Sequence, residues 1–312
     1  MARLAWTYLA LLLLVWALAE LVAERTVPTL LLAYLPPVIW VWPAPLLLLL
    51  ALLRWRKGGR PAIFPAVLAC LLALPVLGFT WHAPQPAWPG DLKVLTYNVA
   101  RGGLGTAARI SAQIRSVNAD IVTLQEVNGL RPGLTAELLA GLPGYAVSRA
   151  GAEVMTLSRF PVLGTRELIL PGTGRRFLVS RIGAPGGELS VVNVHFGTVT
   201  VSRVLSGQIM PTRDRRAQQL DVLLREVAAT SGPVIVAGDF NTPPRGQVYR
   251  ALSAELSDAW DSAGRGFGYT FSSQAPVLRI DHVFVRGLKV VGAGVQPPGG
   301  SDHRALAVQV RW

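Results

Sequence analysis

The stretch of this sequence best equipped for chemistry is Gly238-Asp239-Phe240-Asn241-Thr242-Pro243-Pro244. The residues before it, Pro233-Val234-Ile235-Val236-Ala237, are apolar and β-branched and predict a short buried strand. The chain then breaks at a glycine and stops at two prolines. Side chains two apart on a strand share a face, so Asp239 and Asn241 are expected to point together into one site at the strand end. A carboxylate accepts a proton from water, and a neighbouring amide donates to or accepts from a phosphate or that water. Asn and Asp are also ordinary turn residues, so the heptapeptide alone reads equally well as an Asx-rich turn.

Other strand ends carry residues of the same kind. Asn98 follows the apolar run Leu92–Tyr97, and Gln125-Glu126-Val127 follows Asp120–Leu124. His195 closes Leu189–Asn193, Asp281 lies inside Arg279–Val285, and Ser301-Asp302-His303 precedes Ala305–Val310. Singly, each has an ordinary structural reading: a turn, a solvated strand terminus, a packed core histidine, a cap. Asp281 is the odd one, because an acid inside an apolar strand must be paired or hydrogen-bonded if it is buried. Together they describe one pocket of carboxylates, amides and imidazoles without thiolates. Hard oxygen ligands of that kind favour Mg²⁺ or Mn²⁺ over zinc. A divalent ion, a base and imidazoles are what phosphoester hydrolysis requires.

The elements that must position these groups follow from periodicity. Short strands are expected also at Tyr145–Ser148, Val154–Leu157, Arg166–Leu170 and Phe177–Ile182. Helices are expected at Ala107–Val117, reached through the Gly-rich loop Arg101–Gly105, and at Asp214–Ala229, with Leu220, Leu223, Leu224 and Val227 as its apolar face. Mixed hairpin and strand–helix units predict an α/β sandwich of two sheets with outer helices over residues 91–312.

The first quarter is different. Residues 4–19, 26–53 and 61–81 carry no charge. A bilayer core takes roughly 20 predominantly apolar residues per helix, so three spans are expected, Leu4–Ala23, Thr29–Leu53 and Pro61–Trp81. Ala17-Leu18-Ala19 gives the first span the look of a signal peptide, but two spans follow closely, which favours an uncleaved anchor. Pro36-Pro37 and Pro43 should kink the second span, with a re-entrant shape as the alternative. The loop Arg54–Arg60 holds four basic residues and no acid, so it is expected in the cytoplasm, the third span running outward to an extracytoplasmic domain. Residues 1–82 then form a membrane anchor in the cytoplasmic membrane, 83–90 a Pro-rich stiff linker, and 91–312 the catalytic domain. The single cysteine, Cys70, permits no intramolecular disulfide. Of the net charge of +12, +4 belongs to the first 90 residues and +8 to the rest, which suits phosphate-bearing partners such as nucleic acid or anionic headgroups.

Residues 91–312 resemble the endonuclease/exonuclease/phosphatase superfamily. The segments carrying the resemblance are Leu95-Thr96-Tyr97-Asn98-Val99, Leu124-Gln125-Glu126-Val127, Leu157-Ser158-Arg159-Phe160-Pro161, Val192-Asn193-Val194-His195-Phe196, Gly238–Pro244, Arg279–Val285 and Ser301-Asp302-His303. The resemblance implies a four-layer α/β sandwich with two central mixed sheets, its site at one end. It implies that Glu126, with Asn98 and Asp302, holds Mg²⁺ or Mn²⁺, and that Asp239 orients or deprotonates the attacking water. It implies that Asn241 contacts the scissile phosphate, that His303 stabilises the transition state while oriented by Asp281, and that His195 binds a phosphate oxygen. His282, next to Asp281 on a strand, points the other way and is expected to be structural.

The expected function is a membrane-anchored, divalent-metal-dependent phosphoester hydrolase, with a phosphodiester the favoured substrate. The alternative is a non-catalytic phosphate- or headgroup-binding membrane protein that keeps the fold. Arg213 and Arg216, in the basic segment Val199–Arg216, are candidates for gripping a phosphate backbone or a headgroup, against the plainer reading of a solvated helix start. The expected partners are the lipid bilayer and a nucleic-acid or phospholipid phosphoester; no protein partner is evident.

Overall fold

A computed structural model describes the chain apart from residues 103, 128–132 and 152. Gly103 of the Gly-rich loop therefore lies outside the described residues. Five helices come first: α1 (Ala2–Ala17), α2 (Val27–Tyr34), α3 (Val38–Val41), α4 (Pro43–Leu53) and α5 (Arg60–Leu77). α1 continues through a π-helical turn and a 3₁₀ turn to Arg25. Ala2–Arg25 and Arg60–Leu77 are each long and apolar enough to cross a membrane. The segments Val27–Tyr34 and Val38–Leu53 meet at 88°, so the second apolar stretch is broken. The break falls at Leu35-Pro36-Pro37, as proline sterics require, whereas Pro43 starts a helix instead of kinking one.

Small residues let α1, α4 and α5 approach closely. Ala5, Ala51 and Ala62 meet near the basic loop, and Leu9, Leu12, Ala44, Ala69 and Ala73 continue the seam. Leu11, Leu14, Leu49, Leu53, Phe64 and Leu71 face outward.

The remaining elements are β1 (Thr80–Trp81), β2 (Leu92–Asn98), α6 (Ala107–Val117), β3 (Ile121–Gln125), α7 (Leu134–Ala140), β4 (Ala146–Ala150), β5 (Val154–Ser158), β6 (Val162–Ile169), β7 (Arg176–Ala184), β8 (Gly187–His195), α8 (Val201–Leu205), α9 (Ile209–Ala229), β9 (Val234–Asp239), α10 (Gln247–Glu255), β10 (Ser257–Asp258), α11 (Ala259–Ala263), β11 (Arg265–Gly266), β12 (Asp281–Arg286), β13 (Lys289–Val295) and β14 (Leu306–Arg311). Two six-stranded sheets form, in the orders β13-β14-β2-β3-β5-β4 and β10-β12-β9-β8-β7-β6. Each contains one parallel pair, β2 with β3 and β8 with β9.

Three cores make the layers. Leu92, Val94, Ile121, Val191, Ile235 and Val283 fill the space between the sheets. Leu223, Val227, Val236, Leu252 and Phe284 seal α9 and α10 onto the second sheet, and Ile110, Ile114, Leu124 and Leu138 seal α6 and α7 onto the first. This is the expected four-layer arrangement. Toward the site end the inter-sheet layer turns polar: Gln125 Nε2 donates to Asn193 Oδ1 (2.8 Å), and Asn193 Nδ2 donates to Met155 O (2.9 Å). These bonds tie the sheets together where apolar packing gives way to the site.

Several elements have no counterpart in the sequence reading. β13 carries Gly292 and Gly294, which mask its alternation, and α10 sits in a polar, Gly- and Pro-flanked stretch. The linker is not a free spacer. Thr80 and Trp81 pair with Gly266 and Arg265, and the carbonyls of His82 and Pro86 accept from Arg265 and Arg311. The linker therefore lies along the domain, ending beside Arg311, the residue of β14 farthest along the strand from His303.

A buried ion pair fixes the approach to β12. Arg279 donates to Asp258 Oδ1 (2.8 Å) and Asp261 Oδ1 (2.8 Å), while Asp258 Oδ2 lies 3.6 Å from His282 Nδ1. Burial acts to raise the Asp258 carboxyl, but Arg279 and His282 outweigh it and hold it at about 2, below its ordinary 3.8. A depressed folded-state value stabilises the fold above the ordinary value and loses that contribution as pH falls toward about 2. Asp258→Ala leaves the buried guanidinium only the half-exposed Asp261 as a charged partner and should cost up to about 3–5 kcal/mol. Chemical denaturation checks this, with the wild type also losing stability between pH 4 and pH 2, the window spanned by those two values.

Candidate active site

Strand register assembles the site. Parallel pairing sets His195 beside Asp239, and antiparallel pairing sets Asp281 beside Asp239. Three chemically active side chains thus sit level across β8, β9 and β12. The other parallel pair brings the end of β2, Asn98, level with Gln125, so Glu126 follows at the rim. Four C-terminal strand ends meet at one point.

Asp239 is the centre, with 1% exposure. Its Oδ2 accepts from Asn98 Nδ2 (2.9 Å) and Asn241 Nδ2 (3.1 Å), and its Oδ1 accepts from the Asn241 backbone N–H (2.7 Å). Asn241 reaches Asp239 by a turn and not by strand alternation. It lies past the end of β9 with φ 46°, folding back so that both its nitrogens face Asp239. The turn reading and the shared-site reading of the heptapeptide therefore both hold. Gly238 is required there, because a Cβ would lie 1.9 Å from Val194 O on the adjoining strand.

Two imidazoles flank this carboxylate. His303 Nδ1 lies 2.8 Å from Asp281 Oδ2, and its Nε2 points toward Asp239 Oδ2 at 3.8 Å. Burial acts to neutralise the His303 ring, but Asp281, Asp239 and Asp302 outweigh it and hold its pKa up to about 10. His195 Nε2 lies 3.6 Å from Asp239 Oδ2 and 3.7 Å from Glu126 Oε1. On its other side, Nδ1 is 2.8 Å from Glu153 Oε1, with the ring N–H out of line for a directed hydrogen bond. Burial acts to raise the Glu153 carboxyl, yet His195 and Arg175 hold it below the usual carboxylate range. Sequence reasoning passed over Glu153, an acid between a turn and an apolar strand, because only the packing of β5 beside β8 gives it a histidine.

The expected metal ligands gather at the rim. Glu126, in left-handed conformation (φ 58°), has Oε1 3.4 Å from Asn98 Nδ2 and Oε2 3.4 Å from Arg101 Nε. Asn98 Oδ1 accepts from the Ala100 N–H and has a second lone pair. Asp302 Oδ1 accepts from Ser301 Oγ, which also bonds Asn98 O. These are hard oxygen donors around a carboxylate whose nearest cation is an exposed arginine, and they fit a divalent ion. Asp239, Asp281 and His303 also place ligand atoms within 4.8 Å of one another. Of these three, Asp281 and His303 are hydrogen-bonded directly, while His303 Nε2 stands 3.8 Å from Asp239 Oδ2.

The other candidates are committed to structure. Arg216, 2% exposed, donates to Gly197 O, Phe240 O and Thr242 Oγ1 and so clamps the loop after Asp239. Arg213 pairs with Asp214 and donates to the Glu24 carbonyl. Neither presents a free guanidinium to a substrate. His282 lies on the far face as expected, its Nε2 2.8 Å from Thr242 O.

A family model described as the Endonuclease/Exonuclease/phosphatase family matches residues 95–303. Solved structures share the fold. D. rerio TDP2 complexed with single-strand DNA product is 19% identical, with 72% of this chain and 100% of that chain covered at TM-score 0.58. An endonuclease/exonuclease/phosphatase from Beutenbergia cavernae is 24% identical, covering 72% of each chain at 0.57. The Bacteroides thetaiotaomicron mannosyl-6-phosphatase is 20% identical, with 71% and 100% covered at 0.57.

The geometry makes a measurable demand on His303. Its raised value means that the charged ring stabilises the fold below the ordinary 6.5 and that this is lost as pH rises through about 10. In Asp281→Asn, an NMR titration of the His303 ring should shift its midpoint down from about 10 toward the ordinary value.

Proposed function

The chain belongs to the endonuclease/exonuclease/phosphatase family, and we propose that it is a membrane-anchored, Mg²⁺- or Mn²⁺-dependent phosphoester hydrolase acting on phosphodiesters. The observation carrying this reading is the buried Asp239, ringed by Asn98 and Asn241 and flanked by His195 and the Asp281–His303 pair. A divalent ion held by Glu126, Asn98 and Asp302 would neutralise phosphate charge and polarise a phosphoryl oxygen.

The protein's own groups do the rest. Asp239 accepts a proton from the attacking water, its orientation fixed by three donated hydrogen bonds. Asp281 accepts from Nδ1 of His303, which leaves Nε2–H facing the reacting atoms as a cationic donor. His195, backed by Glu153, offers Nε2 to a phosphate oxygen. Asn241 holds Asp239 and lines the place of the scissile phosphate. Orientation relies on second partners throughout, as such sites need.

Anchoring is supported by the two spanning-length helices and by the broken third stretch. The Arg54–Arg60 loop lies at the end of the bundle away from the domain, which supports a cytoplasmic loop and an extracytoplasmic domain.

Full-length protein in detergent should hydrolyse bis(p-nitrophenyl) phosphate with Mg²⁺ and stop on addition of EDTA. Asp239→Ala and His303→Ala should each lose at least about 100-fold in kcat, in the range of lost acid–base catalysis, when assayed below the lowered unfolding midpoint each will have. Undiminished turnover in either variant would sink the assignment. A reporter fused at Trp312 should be active only outside the cytoplasm; cytoplasmic activity would reverse the topology.

A further inference from the structure

We propose that the catalytic face is held against the membrane surface and takes lipid-borne phosphodiesters, one hydrocarbon chain of the lipid seated in a cavity between the apolar helices and the catalytic loop. This rests on the hydrolase and anchoring readings above and adds the substrate class and the seat.

The loops that meet the helices begin or end at site residues. Past Asp239, Arg245 donates to Glu20 Oε1 (2.7 Å) and to the carbonyls of Val76 (2.9 Å) and Pro75 (2.7 Å). Arg250 donates to the carbonyls of Glu20 (2.6 Å) and Ala19 (2.9 Å). The N–H of Gln247, first residue of α10, donates to Glu24 Oε1 (2.7 Å), so a buried acid from the anchor caps that helix. Ahead of Asp281, Tyr269 Oη donates to Leu77 O (2.7 Å). It is thus the site end of the sandwich that abuts the helix ends. The linker runs away from this junction along the domain, so it does not lift the site off the bilayer.

At the junction lies a cavity of about 420 Å³, bounded by Trp16, Leu32 and Trp40 from the helices and Pro243, Pro244 and Leu278 from the domain. Its volume falls in the ~300–1,000 Å³ range of ligand pockets. Three arginines border it, but Arg245 and Arg250 are engaged with Glu20 and carbonyls, and Arg279 with Asp258 and Asp261. The rest of the wall is mainly hydrocarbon, and its carboxylates, Glu20 and Asp261, are the partners of those arginines. An apolar wall whose arginines are already paired suits an acyl chain, not a polyanion. Pro243 lies two residues past Asn241, so a chain in the cavity packs directly behind the catalytic loop. Of the arginines expected to follow a nucleic-acid backbone, Arg216 is buried under the catalytic loop and Arg213 is paired with Asp214.

In the reaction, water adds to phosphorus and gives a proton to Asp239. One P–O ester bond breaks, and the departing alcohol oxygen takes a proton from His303 Nε2.

The test uses the full chain in phosphatidylcholine vesicles doped with phosphatidylglycerol, assayed for headgroup release, for bis(p-nitrophenyl) phosphate turnover and for plasmid nicking. Lipid phosphodiester should be consumed and plasmid left intact. Ala33→Trp, which fills the cavity from α2, should lower kcat/KM on lipid at least tenfold and leave the soluble ester within twofold. Plasmid cleavage without lipid hydrolysis, or an equal effect of Ala33→Trp on both esters, overturns the inference while the hydrolase stands. Silence on the soluble ester overturns the hydrolase reading itself. As a check independent of any variant, a lipid with a photoreactive acyl chain should crosslink to peptides holding Trp16, Trp40 or Pro243; crosslinks elsewhere only would refute the seat.

Discussion

A carboxylate withdrawn from water must be surrounded by donors, and Asp239 imposes that requirement on the whole domain. Its two oxygens are met by Asn98 from one sheet and Asn241 from the other. The sheets must therefore be locked in both separation and register at that end, since a slip of one residue would turn Asp239 to the opposite face. The two parallel strand pairs supply the register. The Gln125–Asn193 bond supplies the separation, with an amide contact that no apolar pair would hold to a fixed geometry.

Much of this was legible in the sequence because β-branched runs announce their own ends. Asn98, Glu126, His195 and Asp239 each stand where an apolar run stops, and such runs must stop at a surface or a site. The lone acid in an apolar strand, Asp281, was legible from its cost alone. What could not be read depends on packing between distant elements. Glu153 has meaning only beside His195, and Arg216 looks like one of a basic group until α9 lays it under the loop it holds. Asn241 shows a different limit. The rule of alternation brought it to the right place by the wrong route, because a φ of 46° ends the strand before that rule applies. The prolines of the linker suggest a stiff spacer, but nothing in them tells that the segment lies along the domain.

Glu20 and Glu24 stand between the first two apolar stretches, and nothing in the sequence there tells what they bond. In the structure Glu20 serves two guanidiniums and Glu24 a helix N-terminus. The apolar helices and the domain are thus joined by charge-assisted bonds, those of Glu20 partly open to water and that of Glu24 buried. The junction is built from the same loops that build the site, which gives the apolar helices a part in shaping it.

The cap on α10 also bears on how the chain reaches its final form. Glu24 and Gln247 are 223 positions apart, so their contact closes one of the longer loops the chain can make. Synthesis proceeds from the N-terminus, and Glu24 is in place long before the helix it completes exists. The sheets have cores of their own and can gather without it. The loop that carries Asn241 gains this support only when the two ends of the polypeptide meet.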